Sequence, residues 1–220
     1  MTVRSVIKDL VNLHSTNRGE HKSRPFVVLV GGLSRSGKSH LCHRFLQMLS
    51  EIGLRSQVIP IDHWIKPLSE RSEASTVLDR YDIERFCDDL QKLLEGDQVI
   101  LFPYDPLTRE RSKHSIIINL GASLDFLILE GVVALLVDKL RSRADYAIYL
   151  KCRNLTRLKR LILFYRNSKN VSPVLYRHII RDRELEEVPT VTMSSMFADR
   201  IIWGHQITCD FQAGRESHYD

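Results

Sequence analysis

The chain has 220 residues, of which 43% are hydrophobic and 27% are charged, a composition that suits one globular domain with a buried core. Its net charge of +5 is compatible with anion binding. No apolar run reaches the roughly 18 residues of a membrane span, and the N-terminal segment lacks the apolar core of a signal peptide. We therefore expect a soluble cytoplasmic protein whose four cysteines, which form no CxxC pair, are ordinary thiols.

The apolar pattern predicts helices and buried strands that alternate along the chain. In chain order, the first half is predicted to contain a helix over 3–14, a strand over 25–30, a helix over 39–52, a strand over 55–61, an exposed loop or lid over 66–80 and a helix over 82–95. The second half is predicted to contain strands over 98–104, 115–120 and 124–131, a helix over 132–142, a strand over 144–151, helices over 154–168 and 173–187, and a strand over 198–203.

This alternation favours a three-layer α/β domain with a mostly parallel sheet. No repeat or linker divides the chain, so residues 1–220 are expected to form a single domain. Within it we expect an N-terminal helix and loop over 1–24, a core over 26–204 and a polar tail over 209–220.

A glycine-rich segment between the first predicted strand and the following helix matches the pattern G-x-x-x-x-G-K-[ST] in full. Glycines let successive backbone N–H groups curl around a phosphate, and the helix N-terminus adds unpaired N–H groups. The lysine supplies a mobile cation for the phosphates, and the final hydroxyl suits Mg²⁺. The residues expected to bind the nucleotide are Gly32, Leu33, Ser34, Arg35, Ser36, Gly37, Lys38, Ser39 and His40.

Two carboxylates are predicted at the ends of strands, where ligands collect in open α/β sheets. Glu130 ends one buried strand, and Asp62 follows another. Glu130 could hold Mg²⁺, directly or through water. Asp62 could accept the proton of a substrate hydroxyl that attacks the γ-phosphate. Each could also be an ordinary acid at a strand end.

Basic charge is concentrated between Lys151 and Arg183, where ten Lys or Arg residues accompany one acidic residue, Asp182. Arg157 and Arg160 share one face of a predicted helix and could close over the phosphates during transfer. We expect a basic helical lid over about 153–172. A solvated basic helix and a nucleic-acid patch remain alternatives, although the segment carries few aromatic residues.

Six further blocks follow the glycine loop in order: IDHWIKP, RYDIERF, FPYDPLTRERS, LILEGVVAL, NLTRLKR and ADRIIWG. Together with the loop they resemble the uridine kinase and phosphoribulokinase group of P-loop kinases, over residues 26–204. The resemblance implies a P-loop NTPase fold of the nucleoside and nucleotide kinase type. It also implies a kinase that transfers the γ-phosphate of ATP or GTP to a hydroxyl group, with Mg²⁺.

Site residues carried over from this resemblance fall into three sets. The catalytic set contains Asp62 as base, with Lys38, Arg157 and Arg160 on the phosphates. The metal set is Ser39 and Glu130. The substrate set is Asp62, Trp64, Tyr81, Asp82, Tyr104, Arg109 and Arg111.

The chain departs from the family pattern at several places. Arg109 stands where the family has a histidine, Ile65 and Lys66 replace a usual tyrosine, and the later lid block reads only NSKNVSP. The acceptor is therefore expected to be a nucleoside, or another hydroxylated metabolite such as nicotinamide riboside, pantothenate or a sugar phosphate. Arg109 and Arg111 could favour an acceptor that carries a phosphate or carboxylate.

Rivals from other classes are a P-loop regulatory protein and a nucleic-acid-associated ATPase. The kinase reading expects a small-molecule acceptor, with no nucleic acid or membrane partner. The choice between ATP and GTP stays open, and a homo-oligomer is compatible with the resemblance, because relatives often self-associate.

Overall fold

A computed structural model describes residues 3–17, 24–72, 76–121, 123–167 and 172–205. The predicted tail over 209–220 lies outside the described residues, as do residues 168–171 near the end of the predicted lid and residues 18–23 before the first strand. Among the described helices, none combines the length and apolar character that a membrane crossing needs.

Seven α-helices and nine strands make up the described part of the chain. The helices are α1 Val3–Asn17, α2 Lys38–Glu51, α3 Ile83–Leu94, α4 Asp138–Arg141, α5 Asn154–Arg166, α6 Pro173–Asp182 and α7 Val188–Met193. The strands are β1 Phe26–Gly31, β2 Ser56–Pro60, β3 Val99–Leu101, β4 Tyr104–Asp105, β5 Glu110–Arg111, β6 Ile116–Ile118, β7 Phe126–Glu130, β8 Tyr146–Lys151 and β9 Arg200–Trp203.

Five of these strands form one parallel sheet in the order β2-β7-β1-β8-β9. Parallel strands all end at the same edge, so the segments that follow β1, β2 and β7 meet there. The predicted α/β fold with a mostly parallel sheet is confirmed.

Both faces of the sheet are covered, because successive residues of its buried strands point to opposite sides. Val28 and Val30 pack on one side with apolar residues of α1 and α2. Val27 and Leu29 pack on the other with α3 and with residues after β7. The result is a helix–sheet–helix arrangement that holds the carboxyl edge of the sheet rigid.

Several predicted elements differ from the structure. The segment 132–142 forms turns followed only by the short helix α4, because Val132–Leu135 is buried on every side and packing rather than helix propensity fixes its path. The predicted strands over 98–104 and 115–120 do not extend the main sheet: their described parts, β3 and β6, pair with each other in an antiparallel ladder.

A π-helical turn over Arg183–Glu187 separates α6 from α7. Pro189 explains it, since proline has no N–H to donate to the carbonyl of Leu185 and its ring crowds that carbonyl. The helical hydrogen bonds therefore shift by one residue. The sequence predicted a continuous helix ending at residue 187, and the turn instead directs Arg183 and Glu187 towards the sheet edge.

Candidate active site

The glycine loop joins β1 to α2 at the carboxyl edge of the sheet. Gly32 has φ +141°, and a Cβ there would lie 2.6 Å from the carbonyl oxygen of Leu150, so a side chain is excluded. The Lys38 Nζ crosses the loop and donates to the carbonyl of Leu33 at 3.2 Å. The N-cap of α2, Gly37, gives no side-chain hydrogen bond to the first helical N–H groups, which suits an anion at that end.

Glu130 lies beside the loop because β7 is the neighbour of β1. The Ser39 hydroxyl donates to its Oε1 at 3.2 Å, and its buried Oε2 has no hydrogen-bond partner among the described residues. Burial raises the pKa of Glu130 above its usual value, with a further contribution from Asp62 and an opposing one from Lys38. A buried carboxylate oxygen without a donor suits a cation.

Asp62 occupies a short 3₁₀ helix, Ile61–Trp64, directly after β2. The hydroxyl of Tyr81 donates to its Oδ1 at 3.0 Å. Burial, together with the charge of Asp62, raises the pKa of Tyr81 well above its usual value, so the phenol stays protonated and remains a donor. The carboxylate therefore lines the cavity with one oxygen already held in place.

Arg160 and Glu187 reach the loop from the opposite wall. Arg160 Nη1 donates to the carbonyl of Ser36 at 3.2 Å. Oε1 of Glu187 accepts the Ser34 N–H at 2.8 Å, and its Oε2 lies 3.5 Å from Arg183. Burial opposes ionisation of Glu187, but Arg183 and the Ser34 hydrogen bonds outweigh it and lower the pKa of this carboxyl.

These groups surround a cavity of about 680 Å³. Two aromatic side chains of α5, Phe164 and Tyr165, form part of its wall, and Arg35 of the loop lies 3.5 Å above the Phe164 ring. Among the described residues that line the cavity, six are basic and three are acidic. They are Arg35, Lys38, Arg71, Arg80, Arg160 and Arg183, with Asp62, Glu130 and Glu187.

The structure brings most of the sequence-predicted residues together. The cavity wall contains the loop from Ser34 to His40, Asp62, Tyr81, Tyr104, Glu130 and Arg160. Gly32 and Leu33 form the base of the loop behind this wall, where Leu33 packs against the core and also accepts from Lys38.

Arg157 differs from its predicted position on the phosphates. Its side chain is fully buried and pairs with Glu184, and it also donates to Asn154 Oδ1 at 3.0 and 3.2 Å. The i, i+3 spacing predicted that Arg157 and Arg160 share one helix face. Arg157 instead lies in the first turn of α5 and pairs with Glu184 of the π-helical turn. In this conformation it joins α5 to that turn.

Three predicted substrate residues also lie elsewhere. Asp82 caps α3 by accepting the Arg85 N–H at 3.4 Å. Arg111 pairs with Glu70 at 3.3 Å. Arg109 has φ +62° and closes a turn through its backbone N–H, which donates to Asp105 O at 2.8 Å. Local capping and turn geometry, rather than a ligand, account for these three positions.

Trp64 is a core residue rather than a cavity residue. Only 2% of it is exposed, its ring packs against Phe86 at 4.8 Å between centroids, and its Nε1 donates to buried Asp89 at 2.8 Å. The sequence assigned both Trp64 and Asp62 to the substrate site. The 3₁₀ helix Ile61–Trp64 directs their side chains differently, so that only Asp62 lines the cavity.

The variant Trp64→Phe is expected to lower stability while leaving the activity per folded molecule unchanged. It keeps the aromatic packing but removes the donor to Asp89, which should cost about 1–2 kcal/mol of unfolding free energy. Urea denaturation followed by circular dichroism measures the loss. A large change in acceptor KM at unchanged stability would return Trp64 to the substrate site.

Four charged residues of the cavity wall were missed by the sequence analysis: Arg71, Arg80, Arg183 and Glu187. Arg183 and Arg71 line the wall, but Arg183 was only one of ten basic residues in its segment and Arg71 a single arginine in a polar loop. The usable signal was the spacing of Arg183 and Glu187 just before Pro189. Such i, i+4 pairs are usually found on exposed helix surfaces.

No family model matches the chain. Uridine-cytidine kinase B of Dictyostelium discoideum is 24% identical over 74% of the chain and 68% of its own length. Uridine-cytidine kinase 2-B of Danio rerio is 24% identical over 77% of the chain and 64% of its own length. The chain therefore spans about two thirds of these curated relatives.

Solved structures share the fold at low sequence identity. A protein from Bacillus stearothermophilus described as a "possible uridine kinase" matches 90% of the chain and 99% of its own length, with 23% identity and a TM-score of 0.56. D-glycerate 3-kinase from Cryptococcus neoformans matches 93% of the chain and 96% of its own length, with 15% identity and a TM-score of 0.64.

Three observations point to a P-loop kinase: the glycine-loop motif, the order of the parallel strands and the similarity to uridine-cytidine kinases. A phosphoribulokinase from Rhodobacter sphaeroides shares the fold as well, with a TM-score of 0.59 over 83% of the chain and 70% of its own length. The chain is similar in sequence to uridine-cytidine kinases and shares the fold of P-loop small-molecule kinases, and these similarities indicate a phosphotransferase that acts on a hydroxyl group of a small molecule.

Proposed function

We propose that the chain transfers the γ-phosphoryl group of ATP to a hydroxyl group of a nucleoside or another small hydroxylated metabolite. One observation carries the proposal: Asp62, held by Tyr81, lines the same cavity as Lys38 and Glu130. A carboxylate that lines the same cavity as a phosphate loop suits in-line attack by an alcohol on the terminal phosphate.

In the proposed reaction the oxygen of the acceptor hydroxyl forms a bond to the γ-phosphorus. The bond between that phosphorus and the β–γ bridging oxygen breaks, and ADP leaves with the electron pair. Asp62 accepts the proton that the hydroxyl loses. Lys38 and Arg160 compensate the negative charge that develops on the phosphate oxygens, which requires no covalent chemistry by the protein.

A divalent cation fits the residues present. The unpartnered Oε2 of Glu130 and the hydroxyl of Ser39 are hard oxygen ligands that would hold Mg²⁺. Bound there, the ion would supply positive charge next to the phosphates. Within the described part of the chain, no cluster of three or more metal-binding side chains is present, which suits an ion that takes most of its ligands from phosphate and water.

A coupled assay of ADP release over nucleosides, vitamins, sugars and sugar phosphates tests the proposal. With Mg·ATP present, we expect at least one acceptor to raise ADP release well above the rate without acceptor. Mass spectrometry should then find the acceptor heavier by one phosphate group. The Lys38→Met variant, which keeps the side-chain length and removes the charge, is the matched control and should abolish the acceptor-dependent rate.

Two outcomes would contradict the proposal. Slow ATP hydrolysis that no acceptor accelerates would favour a regulatory P-loop protein. Stimulation by DNA or RNA that weakens steeply with salt would favour a nucleic-acid-associated ATPase.

A further inference from the structure

Besides the cations close to the phosphate loop, the cavity wall carries two further arginines. Lys38 and Arg160 contact the phosphate loop, and Arg183 is paired with Glu187. Arg71 and Arg80 also line the cavity, yet both belong to the segment between Asp62 and α3, on the acceptor side. Because this segment starts at the proposed base and not at the phosphate loop, its arginines are candidates for binding the acceptor.

Arg71 is held in one orientation by its surroundings. Its Nε and Nη2 donate to the carbonyl of Lys66 at 2.8 and 2.6 Å, and its guanidinium lies 5.2 Å from the centre of the Tyr104 ring. Two hydrogen bonds and one ring contact fix the plane of the guanidinium. A fixed, planar donor group is what two-pronged recognition of a carboxylate or phosphate requires.

Arg71 also differs from its basic neighbours in its charge balance. Arg80 pairs with Glu186 and Arg111 pairs with Glu70. Among the ion pairs of the described residues, Arg71 takes part in none, although it is half-buried in the cavity wall. A partly buried cation whose partners are a backbone carbonyl and an aromatic ring, with no carboxylate among them, is stabilised when an anion arrives.

Apolar parts of the cavity wall strengthen this effect. Ile65, Val77 and Pro106 line the same cavity, and apolar walls exclude water and lower the local dielectric. Arg71 itself covers one face of the Tyr104 ring, so that face is not open for a nucleobase to stack on. Both features favour a small charged acceptor over a neutral nucleoside.

We propose that the phosphate acceptor is an anion, a hydroxylated metabolite whose carboxylate or phosphate group binds Arg71 while its hydroxyl faces Asp62. This inference rests on the proposed kinase function and names the chemical class of its substrate. Recognition by Arg71 leaves the transfer step unchanged, because the anionic group keeps its charge and only the hydroxyl reacts.

Matched acceptor pairs test the inference in the coupled ADP assay. The pairs are D-glycerate with glycerol and D-ribose 5-phosphate with D-ribose, and uridine serves as a neutral nucleoside. We expect the full-length protein to prefer the anionic member of at least one pair. The Arg71→Met variant should lose about 10- to 100-fold in kcat/KM for that anion, chiefly through KM.

The other readouts separate charge from folding. Arg71→Lys should recover part of the loss, because it restores the charge without the planar group. Arg166→Met removes an exposed arginine from the end of α5 and should leave the preference unchanged. KM for ATP should change less than the acceptor KM in Arg71→Met.

Failure of this inference and failure of the kinase function look different. Acceptor-dependent ADP release that prefers glycerol, ribose or uridine would overturn the anionic acceptor and leave the kinase function intact. If no compound accelerates ADP release, the proposed kinase function is wrong. Thermal-shift titration with the same compound pairs then tests separately whether Arg71 binds an anion. Stabilisation by the anion that Arg71→Met abolishes supports the site, and equal shifts in both proteins overturn it.

Discussion

Asp62→Asn is expected to lower kcat by about three orders of magnitude, in line with the loss of a general base. Asparagine keeps the shape of the side chain, and its amide oxygen can still accept the hydrogen bond from Tyr81. It cannot accept a proton from the acceptor hydroxyl, so the effect should fall on the chemical step. Steady-state rates with the acceptor found in the screen measure kcat. Titration with a fluorescent ATP analogue measures nucleotide affinity, which we expect to stay within about tenfold.

Tyr81→Phe is the matched control for this variant. It removes the donor that holds Asp62 and leaves the carboxylate in place, so its kcat should fall much less. Two results would remove the proposed role of Asp62: a kcat that survives Asp62→Asn, or a loss of nucleotide binding in that variant comparable to the loss of turnover.

Arg183→Met should reduce kcat by about 100- to 1000-fold, the range found when one charge-stabilising group is removed from a transfer site. Burial lowers the pKa of Arg183, but neighbouring groups, first among them the Glu187 carboxylate and including Asp62, outweigh this and raise the pKa above its usual value. The residue is therefore a permanent cation in the cavity that the phosphate loop and Asp62 also line. We expect that charge to stabilise the phosphoryl group as it moves.

Arg157→Met is the comparison variant for Arg183→Met. Arg157 is a buried arginine of α5 that pairs with Glu184, a residue of the same π-helical turn as Arg183. Breaking that pair should lower the unfolding free energy by about 3 kcal/mol and change kcat of the folded protein far less. Parallel melting curves and turnover numbers compare the two variants. A larger kcat loss in Arg157→Met than in Arg183→Met would restore the lid role that the sequence indicated.

The parts of the fold set by local sequence were predictable from sequence. The loop from Gly32 to Ser39 depends on glycine backbone conformations and on one lysine. Both are visible in the sequence as the motif G-x-x-x-x-G-K-[ST]. The buried strands β1, β7 and β8 can be predicted because each is a nearly continuous apolar run in the sequence. The shared edge of a parallel sheet then brings Asp62 and Glu130 to the loop.

Positions that depend on packing were not predictable in the same way. Helical spacing put Arg157 and Arg160 on one face, but only the contact with Glu184 decides that Arg157 turns away. Arg183 enters the cavity because Pro189 shifts the hydrogen bonds of its helix, which periodicity does not register. Arg71 depends on a carbonyl five residues before it, on the other side of the short 3₁₀ helix Leu68–Glu70, and the sequence pattern does not predict that contact.

The hydrogen bond between the Ser34 N–H and Glu187 has a consequence for how the two substrates influence each other. Glu187 joins the backbone of the phosphate loop to the turn that carries Arg183. A nucleotide that moves the loop is therefore expected to move or hold that arginine, which lines the cavity in which we propose that the acceptor binds. Binding of donor and acceptor is then thermodynamically linked, and each should alter the affinity for the other by the same factor.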